Sequence, residues 1–414
     1  MCSGVSASAL AGGAAGLASG APVPLAARMR YNSGMRPLLT CLLLPIALVA
    51  LLGRPLCAAT PGDDPGYVGA AACANCHQPE FGSWRGSHHD LAMQPPTPQT
   101  VLGDFDDARF QYNGVETRFL RRDGEYRVIT DGPDGELREY PVRWVFGVYP
   151  LQQLLLPLAG GRLQALSIAW DARPAAEGGQ RWYHLYPDEA VDHRDPLHWT
   201  GPYQNWNTRC AECHSTDVDK GYDPVARSFD TRFAEEDVAC EACHGPGEAH
   251  VTRARDGLPV SGADSGLFGL RDRGDWSFAE GSAIAVRSGT PAGATQIDTC
   301  GRCHVRRGTL GAYRHGQPLS DTHRLALLGE PLYHHDGQIL DEVYVYGSFL
   351  QSRMHLAGVV CSDCHDIHSS VHISNALTSD ATTVLTMFQV TQRDSKWRRA
   401  ATRSTPSIVS VSRD

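Results

Sequence analysis

Lysine is almost missing from this 414-residue chain, Lys220 and Lys396 being the only two. No long basic run occurs and the formal charge is −9, so the cationic stripe that neutralises nucleic-acid phosphates is absent, which argues against a nucleic-acid partner. The other cations are arginines, whose planar fork suits fixed carboxylates. An apolar run of membrane-spanning length is also lacking: residues 38–52, LLTCLLLPIALVALL, supply fifteen where a spanning helix wants about 20, and Pro45 interrupts them. Only Met93, Met354 and Met387 follow that run. Residues 371–414 contain neither glycine nor cysteine and carry +3, which reads as a poorly ordered tail or a truncated reading frame. With 42% hydrophobic and 20% charged residues, the rest is not disordered throughout.

The apolar run follows Met35 and Arg36 and precedes the small Ala58 and Ala59, so residues 35–59 read as a secretory signal. The expected product is periplasmic or otherwise exported, with no stable membrane insertion after cleavage. Residues 1–34, rich in Ala, Gly and Ser, read as a mis-assigned extension ahead of a true start at Met29 or Met35. Cys57 invites lipidation, but Arg54, Pro55 and Leu56 lack the small residue expected before it. The four arginines of residues 1–59, with no acid among them, leave −13 on the exported part. Such a surface suits a basic soluble partner.

Cysteine is abundant. Ten of the thirteen fall in five copies of C-x-x-C-H: Cys73, Cys76 and His77; Cys210, Cys213 and His214; Cys240, Cys243 and His244; Cys300, Cys303 and His304; Cys361, Cys364 and His365. Cys2, Cys41 and Cys57 lie in the leader, so no later cysteine stands outside a motif. Chance placement would give roughly 0.02 copies. The spacing is that of covalent c-type haem (heme c), in which two thiols add to the two vinyl groups and the histidine becomes the proximal iron ligand. Five covalent haems are expected, attached outside the cytoplasm in agreement with the signal. The dipeptides AN, AE, EA, GR and SD vary as expected where only spacing matters. Disulfides need no histidine after each second cysteine. A zinc site from the pairs at 210/213 and 240/243 would strand an odd pair and five histidines.

Thirteen further histidines are available for the second axial position, which methionine cannot fill five times, so mostly bis-histidine, low-potential haems are expected. Gly245, Pro246 and Gly247 force a turn in CHGPGEAH, making His250 the first distal candidate. His368 follows His365 by three on what reads as a helical turn, and His355 precedes Cys361 by six. His88 or His89 in WRGSHHDLAM, and His334 or His335 in YHHDGQI, leave pair ambiguities open. His184, His193, His198, His315, His323 and His372 fit surface or hydrogen-bonded roles better, and Met354 fits packing. Arg306 and Arg307 are expected to pair with haem propionates or to stand as exposed charge.

The motifs begin at 73, 210, 240, 300 and 361, so the first two starts stand 137 apart, against 30, 60 and 61 for the others. Within that first interval the runs FQYNGVETRFL, EYRVIT, GELREYPVRWVFG, RLQALSIAW and RWYHLY, punctuated by DG, PDG and GG turns, predict an antiparallel β meander. Its aromatics Trp144, Phe146, Trp170, Trp182 and Tyr183 are expected in its core. The chain divides into a first haem segment at 60–108, a β-rich insertion at 109–190, a four-haem segment at 191–370 and the tail. Elsewhere short helices and irregular chain are expected, with porphyrins replacing much of a side-chain core.

The motifs, with YVGAAACANCH, WRGSHHDLAM, CEACHGPGEAH and DEVYVYGSFLQSRMHLAGVVCSDCHDIH, resemble the multihaem cytochromes of the c-552/c-554 type, in the subgroup often extended by further motifs and tetratricopeptide repeats. The resemblance covers residues 65–369 and departs after His368, where more haems and repeats would be expected. It implies an irregular, haem-packed, short-helical chain with closely packed bis-histidine haems, His77, His214, His244, His304 and His365 as proximal ligands, and His250 as a distal one. It also implies electron transfer with soluble redox proteins or a membrane-associated oxidoreductase. The alternative is an oxidoreductase in which one open iron acts on a small nitrogen or sulfur compound.

Overall fold

The computed structural model describes residues 66–261, 265–270, 275–278, 280, 285–288, 294–341, 343–369 and 371–372. The expected extension at 1–34, the signal at 35–59 and all but two residues of the tail at 371–414 lie outside them. The described part belongs to one compact unit. No helix among these residues is long and apolar enough to cross a membrane.

The chain opens with two short helices, α1 (Ala70–Ala74) and α2 (Gln78–Trp84). Ten strands follow: β1 (Met93–Gln94), β2 (Ala108–Tyr112), β3 (Val115–Arg122), β4 (Glu125–Asp131), β5 (Leu137–Pro141), β6 (Trp144–Phe146), β7 (Leu151–Leu158), β8 (Arg162–Ala165), β9 (Ile168–Asp171) and β10 (Arg181–His184). All pair antiparallel, but in two sheets instead of one meander: β2-β3-β4-β5, and β1-β6-β7-β9-β10 with β8 also on β7. The run FQYNGVETRFL is not one strand. Asn113 and Gly114 take positive φ (46° and 82°), the pair of left-handed residues a tight hairpin requires, and separate β2 from β3. Asp123 and Gly124 (54° and 83°) repeat the device between β3 and β4.

Burial alternates along β3 and β4, with Thr117 and Phe119, then Tyr126, Val128 and Thr130, turned inward. These side chains meet Val145, Leu154, Leu156, Trp170 and Trp182 of the second sheet in a sandwich core. Phe119 stacks on Trp182 at 3.7 Å and 4°. Phe146 and Trp144 belong instead to a second cluster on the other face, and Tyr183 is half-buried. The cause lies in β7. Its leucines are buried on both faces, Leu154 and Leu156 entering the sandwich while Leu155 packs with Met93, Phe146, Trp206, Cys210 and Ala211. The sheet is thus a wall against which the second C-x-x-C-H motif rests.

Beyond it the elements are short: α3 (Trp206–Arg209), α4 (Ala211–His214), α5 (Cys240–His244), α6 (Glu248–Arg255), α7 (Thr295–Gly301), α8 (Tyr346–Leu350) and α9 (Arg353–Leu356). Two-stranded ladders accompany them: β11–β12 (Tyr222–Asp223 with Ser228–Phe229), β13–β14 (Asp275–Phe278 with Ala285–Ser288), β15–β16 (Arg307–Thr309 with His323–Leu325) and β17–β18 (His365–Asp366 with Val371–His372). Side-chain amides tie this part to the sheet. Asn207 Oδ1 accepts Leu163 N–H at 2.8 Å, its Nδ2 donates to Gly161 O, and Asn205 caps α3 by accepting Thr208 N–H.

Candidate haem-binding site

A single helical turn explains how C-x-x-C-H works as a unit. Cysteines three apart share a face, and the histidine one residue on joins them. Three of the motifs close this turn through histidine N–H to first-cysteine carbonyl: His77 to Cys73 (2.9 Å), His214 to Cys210 (3.1 Å) and His304 to Cys300 (3.0 Å). The third motif is α5 itself. The fifth differs, because Cys361–Asp363 is a tighter 3₁₀ turn and His365 enters β17. The helical spacing expected for His365 and His368 is therefore not formed, since the ladder to Val371–His372 holds His365 extended.

An imidazole nitrogen sits about 2 Å from a metal it binds, so two rings gripping one ion from opposite sides have centroids about 6.3 Å apart. Three histidine pairs match that span, each joining a motif histidine to one from another segment. His77 faces His250 at 6.2 Å, His304 faces His89 at 6.5 Å, and His244 faces His368 at 6.5 Å. Gly245 (φ 81°) makes the expected turn, and α6 carries His250 toward the first motif. The second nitrogen matters too, because a hydrogen bond there fixes the tautomer and aims the other at a metal. His250 Nδ1 lies 2.9 Å from Ser265 O, His214 Nδ1 lies 3.2 Å from Ala92 O, and His89 bonds the backbone of Ile367. Burial pushes His89 down to about 4, with His304 and His88 adding to the effect, and burial likewise pushes His214 to about 4. Both rings are held neutral, the form that binds metal.

Of the pair at 88/89, His89 turns inward and His88 is exposed. His334 and His335 are both exposed, with His335 near Glu330 at 3.2 Å. His355 packs on Phe349, its Nδ1 buried. Among the remaining histidines, His198 lies between Asp131 and Thr200, His184 stacks on Tyr112, and His323 is held by Glu212 and Thr322. His315 places Nε2 against Ala242 O, and His193 lies beside Gly135. His372 sits on β18.

The motifs touch one another. Cys303 Sγ lies 3.9 Å from Glu212 O of the second motif, and Gln296, four residues before Cys300, accepts Ser362 N–H of the fifth at 2.9 Å. Arg302 closes the circuit between the third and fourth motifs, its guanidinium donating to Ala242 O at 3.3 Å.

The dipeptides inside the motifs are not free of structural duty, contrary to expectation. Glu241 is 1% exposed and accepts N–H groups of Val68, Gly69 and Gly247, binding the approach to the first motif onto the third. Glu212 meets His323 at 2.8 Å, Arg307 at 3.3 Å and Thr309 at 2.8 Å. Burial opposes its charge, yet His323, Arg307, Thr309 and Lys220 hold its carboxyl below the usual range. Asp363 caps the fifth motif by accepting Val360 N–H. Arg307 is thereby committed to Glu212, and Arg306 stands 3.7 Å from Asp341. A charged residue inside an otherwise variable dipeptide was the available signal for Glu212, Glu241, Arg302 and Asp363.

Carboxylates also crowd between the first and third motifs. Glu235 accepts Ala70 N–H, and Asp237 is pushed up to about 8 by burial, with Glu235 and Asp90 adding repulsion.

Comparison with known proteins follows the same line. Residues 182–245, which hold the second and third motifs, match the family described as cytochrome c554 and c-prime. No curated protein matches the sequence. Outer cell wall cytochrome OcwA is similar over 75% of this chain and 59% of its own length, at 17% identity and a TM-score of 0.44. An undecaheme cytochrome from the S-layer of Carboxydothermus ferrireducens is similar over 62% and 27%, at 22% identity and a TM-score of 0.31. This chain therefore spans little more than half of the first and about a quarter of the second. The repeated attachment motifs and this match over part of the chain are consistent with a multihaem c-type cytochrome.

Proposed function

We propose that the protein is an exported pentahaem electron carrier. The observation that carries this reading is the set of three imidazole pairs at 6.2 to 6.5 Å, each drawn from two different motif segments. Cys73 and Cys76, Cys210 and Cys213, Cys240 and Cys243, Cys300 and Cys303, and Cys361 and Cys364 would hold the five porphyrins. Bound there, haem supplies reversible one-electron uptake. The chain's own part is to fix the tautomers of His214 and His250 through Ala92 O and Ser265 O, and to keep the motifs in contact. The contacts join first to third, third to fourth, fourth to second and fourth to fifth, with no motif isolated. Soluble redox proteins or a membrane-associated oxidoreductase would be the partners.

Intact-mass measurement of the mature protein, combined with low-temperature electron paramagnetic resonance, tests the reading. Five haem increments and three bis-histidine signals are expected. Fewer increments would refute five-fold occupancy, and loss of the bis-histidine signals would refute the pairing.

One observation favours the second reading, an oxidoreductase with an open iron. The ring packed on His214 among the described residues is Phe146, edge-on at 5.4 Å, and not an imidazole. A high-spin ferric signal that shifts on adding nitrite, hydroxylamine or cyanide would select that reading. Five low-spin haems indifferent to these ligands would exclude it.

A further inference from the structure

Arg302 is 7% exposed, yet no carboxylate lies within ion-pair distance of it among the described residues. Its guanidinium rests 4.5 Å above the Tyr313 ring and donates through one terminal nitrogen to Ala242 O at 3.3 Å, while its Nε is buried without a partner. Arg307 Nε donates to its backbone carbonyl and holds the segment in place. Arginine remains protonated at any working pH, so a full positive charge is buried here. An arginine on a surface would lose most of its influence to solvent, and this one does not.

The position of that charge is specific. It lies between Cys300 and Cys303 of the fourth motif, two residues before His304, and its bond to Ala242 O sets it against the third. The other motifs carry no such cation. Glu212 and Glu241 stand in the second and third, and the fifth carries Asp363, 6% exposed, at the place in its dipeptide that Arg302 takes in the fourth. The fourth motif is therefore positive where the fifth is negative. Reducing a ferric haem adds one negative charge. A nearby buried cation favours that charge, and a buried anion opposes it.

We infer that Arg302 is a positioning residue for electrons, holding the fourth haem at a higher potential than the fifth, whose motif carries Asp363 in its place. An electron delivered at the fifth haem would then pass to the fourth. The inference rests on the proposal that the motifs carry haem, and it adds the order of these two potentials.

The test is a spectroelectrochemical titration of the full holoprotein, with the haem content of every sample first fixed by the pyridine haemochrome assay. A preparation lacking haem in the unsubstituted protein would defeat the underlying proposal and not this one. With haem present, Arg302→Gln should move the high-potential part of the titration to more negative values, and Arg302→Lys should keep it near the original. An unchanged curve in Arg302→Gln, or equal displacement in both variants, overturns the inference. Should Arg302→Gln mature incompletely, Asp363→Asn supplies the opposite sign, because its amide oxygen can still cap Val360 N–H. The low-potential end should then rise, and a fall or no change would overturn the graded arrangement.

Discussion

An imidazole is suited to a metal when its other nitrogen is already engaged and a second imidazole faces it at the span of one ion. His250 meets both conditions, with Ser265 O at 2.9 Å and His77 at 6.2 Å. Replacing His250, His89 or His368 singly by alanine should convert one low-spin haem to high-spin, read as a new band near the ligand-to-metal charge-transfer region. The same change at His335, whose side chain is 90% exposed, should leave the spectrum as it was. A spectrum equally disturbed by all four would remove the pairing. Asp237 offers a test by acidity. Its folded value, about 8, lies above the ordinary 3.8 because burial and then Glu235 and Asp90 oppose its charge. The fold binds this proton better than the unfolded chain does. The resulting stability is complete below the ordinary value and is lost as pH rises through about 8. Asp237→Asn is neutral throughout, so its melting temperature should gain on the parent's as pH climbs across that window. A constant difference between the two melts would contradict the assignment.

Among the elements, β7 shows what a sequence reading reaches and where it stops. Its apolar character was legible, and so was the antiparallel pairing around it, because alternation and Gly-containing turns are local signals. That Leu154 and Leu156 face one core and Leu155 another was not legible, since this depends on a motif some fifty residues further on. The same division runs through the site. The C-x-x-C-H turns are written in five consecutive residues, whereas His89 meets His304 and His368 meets His244 only after the intervening chain has folded. Glu212 and Arg302 are legible only as charges in variable dipeptides, because their partners lie in distant segments that spacing does not reveal. Because the sandwich core lies on the face of the sheet away from the second motif, damage inside it should spare the motifs at first. Phe119→Ala removes a fully buried ring stacked on Trp182 and should cost about 3–5 kcal/mol of stability. The haem bands at ambient temperature should stay unchanged. Differential scanning calorimetry would read the cost, and an unshifted transition would show that the sandwich does not limit stability.

For the whole molecule, charge and exposure point to how a partner would meet it. The chain after residue 59 carries −13, although its interior at the second and fourth motifs gathers Arg302, Arg307 and Lys220 around Glu212. Buried charge is of both signs, Glu241 and Asp363 being enclosed as Arg302 is, so the surplus of acid is a property of the chain as a whole. Cys76, His77 and the residues that follow as far as Glu80 are exposed, so the first motif is a solvent-facing end of the contact path. A basic redox protein approaching that end would be steered by long-range attraction, which fades once the screening length shrinks to about 10 Å near 0.1 M salt. Stopped-flow electron exchange with a small basic carrier should therefore slow steeply as ionic strength rises. Exchange with an acidic carrier of similar potential should speed up, because screening relieves repulsion. Rates that ignore salt for both carriers would mean that the acidic surface plays no part in docking, and the route into the relay would have to lie at a locally neutral face.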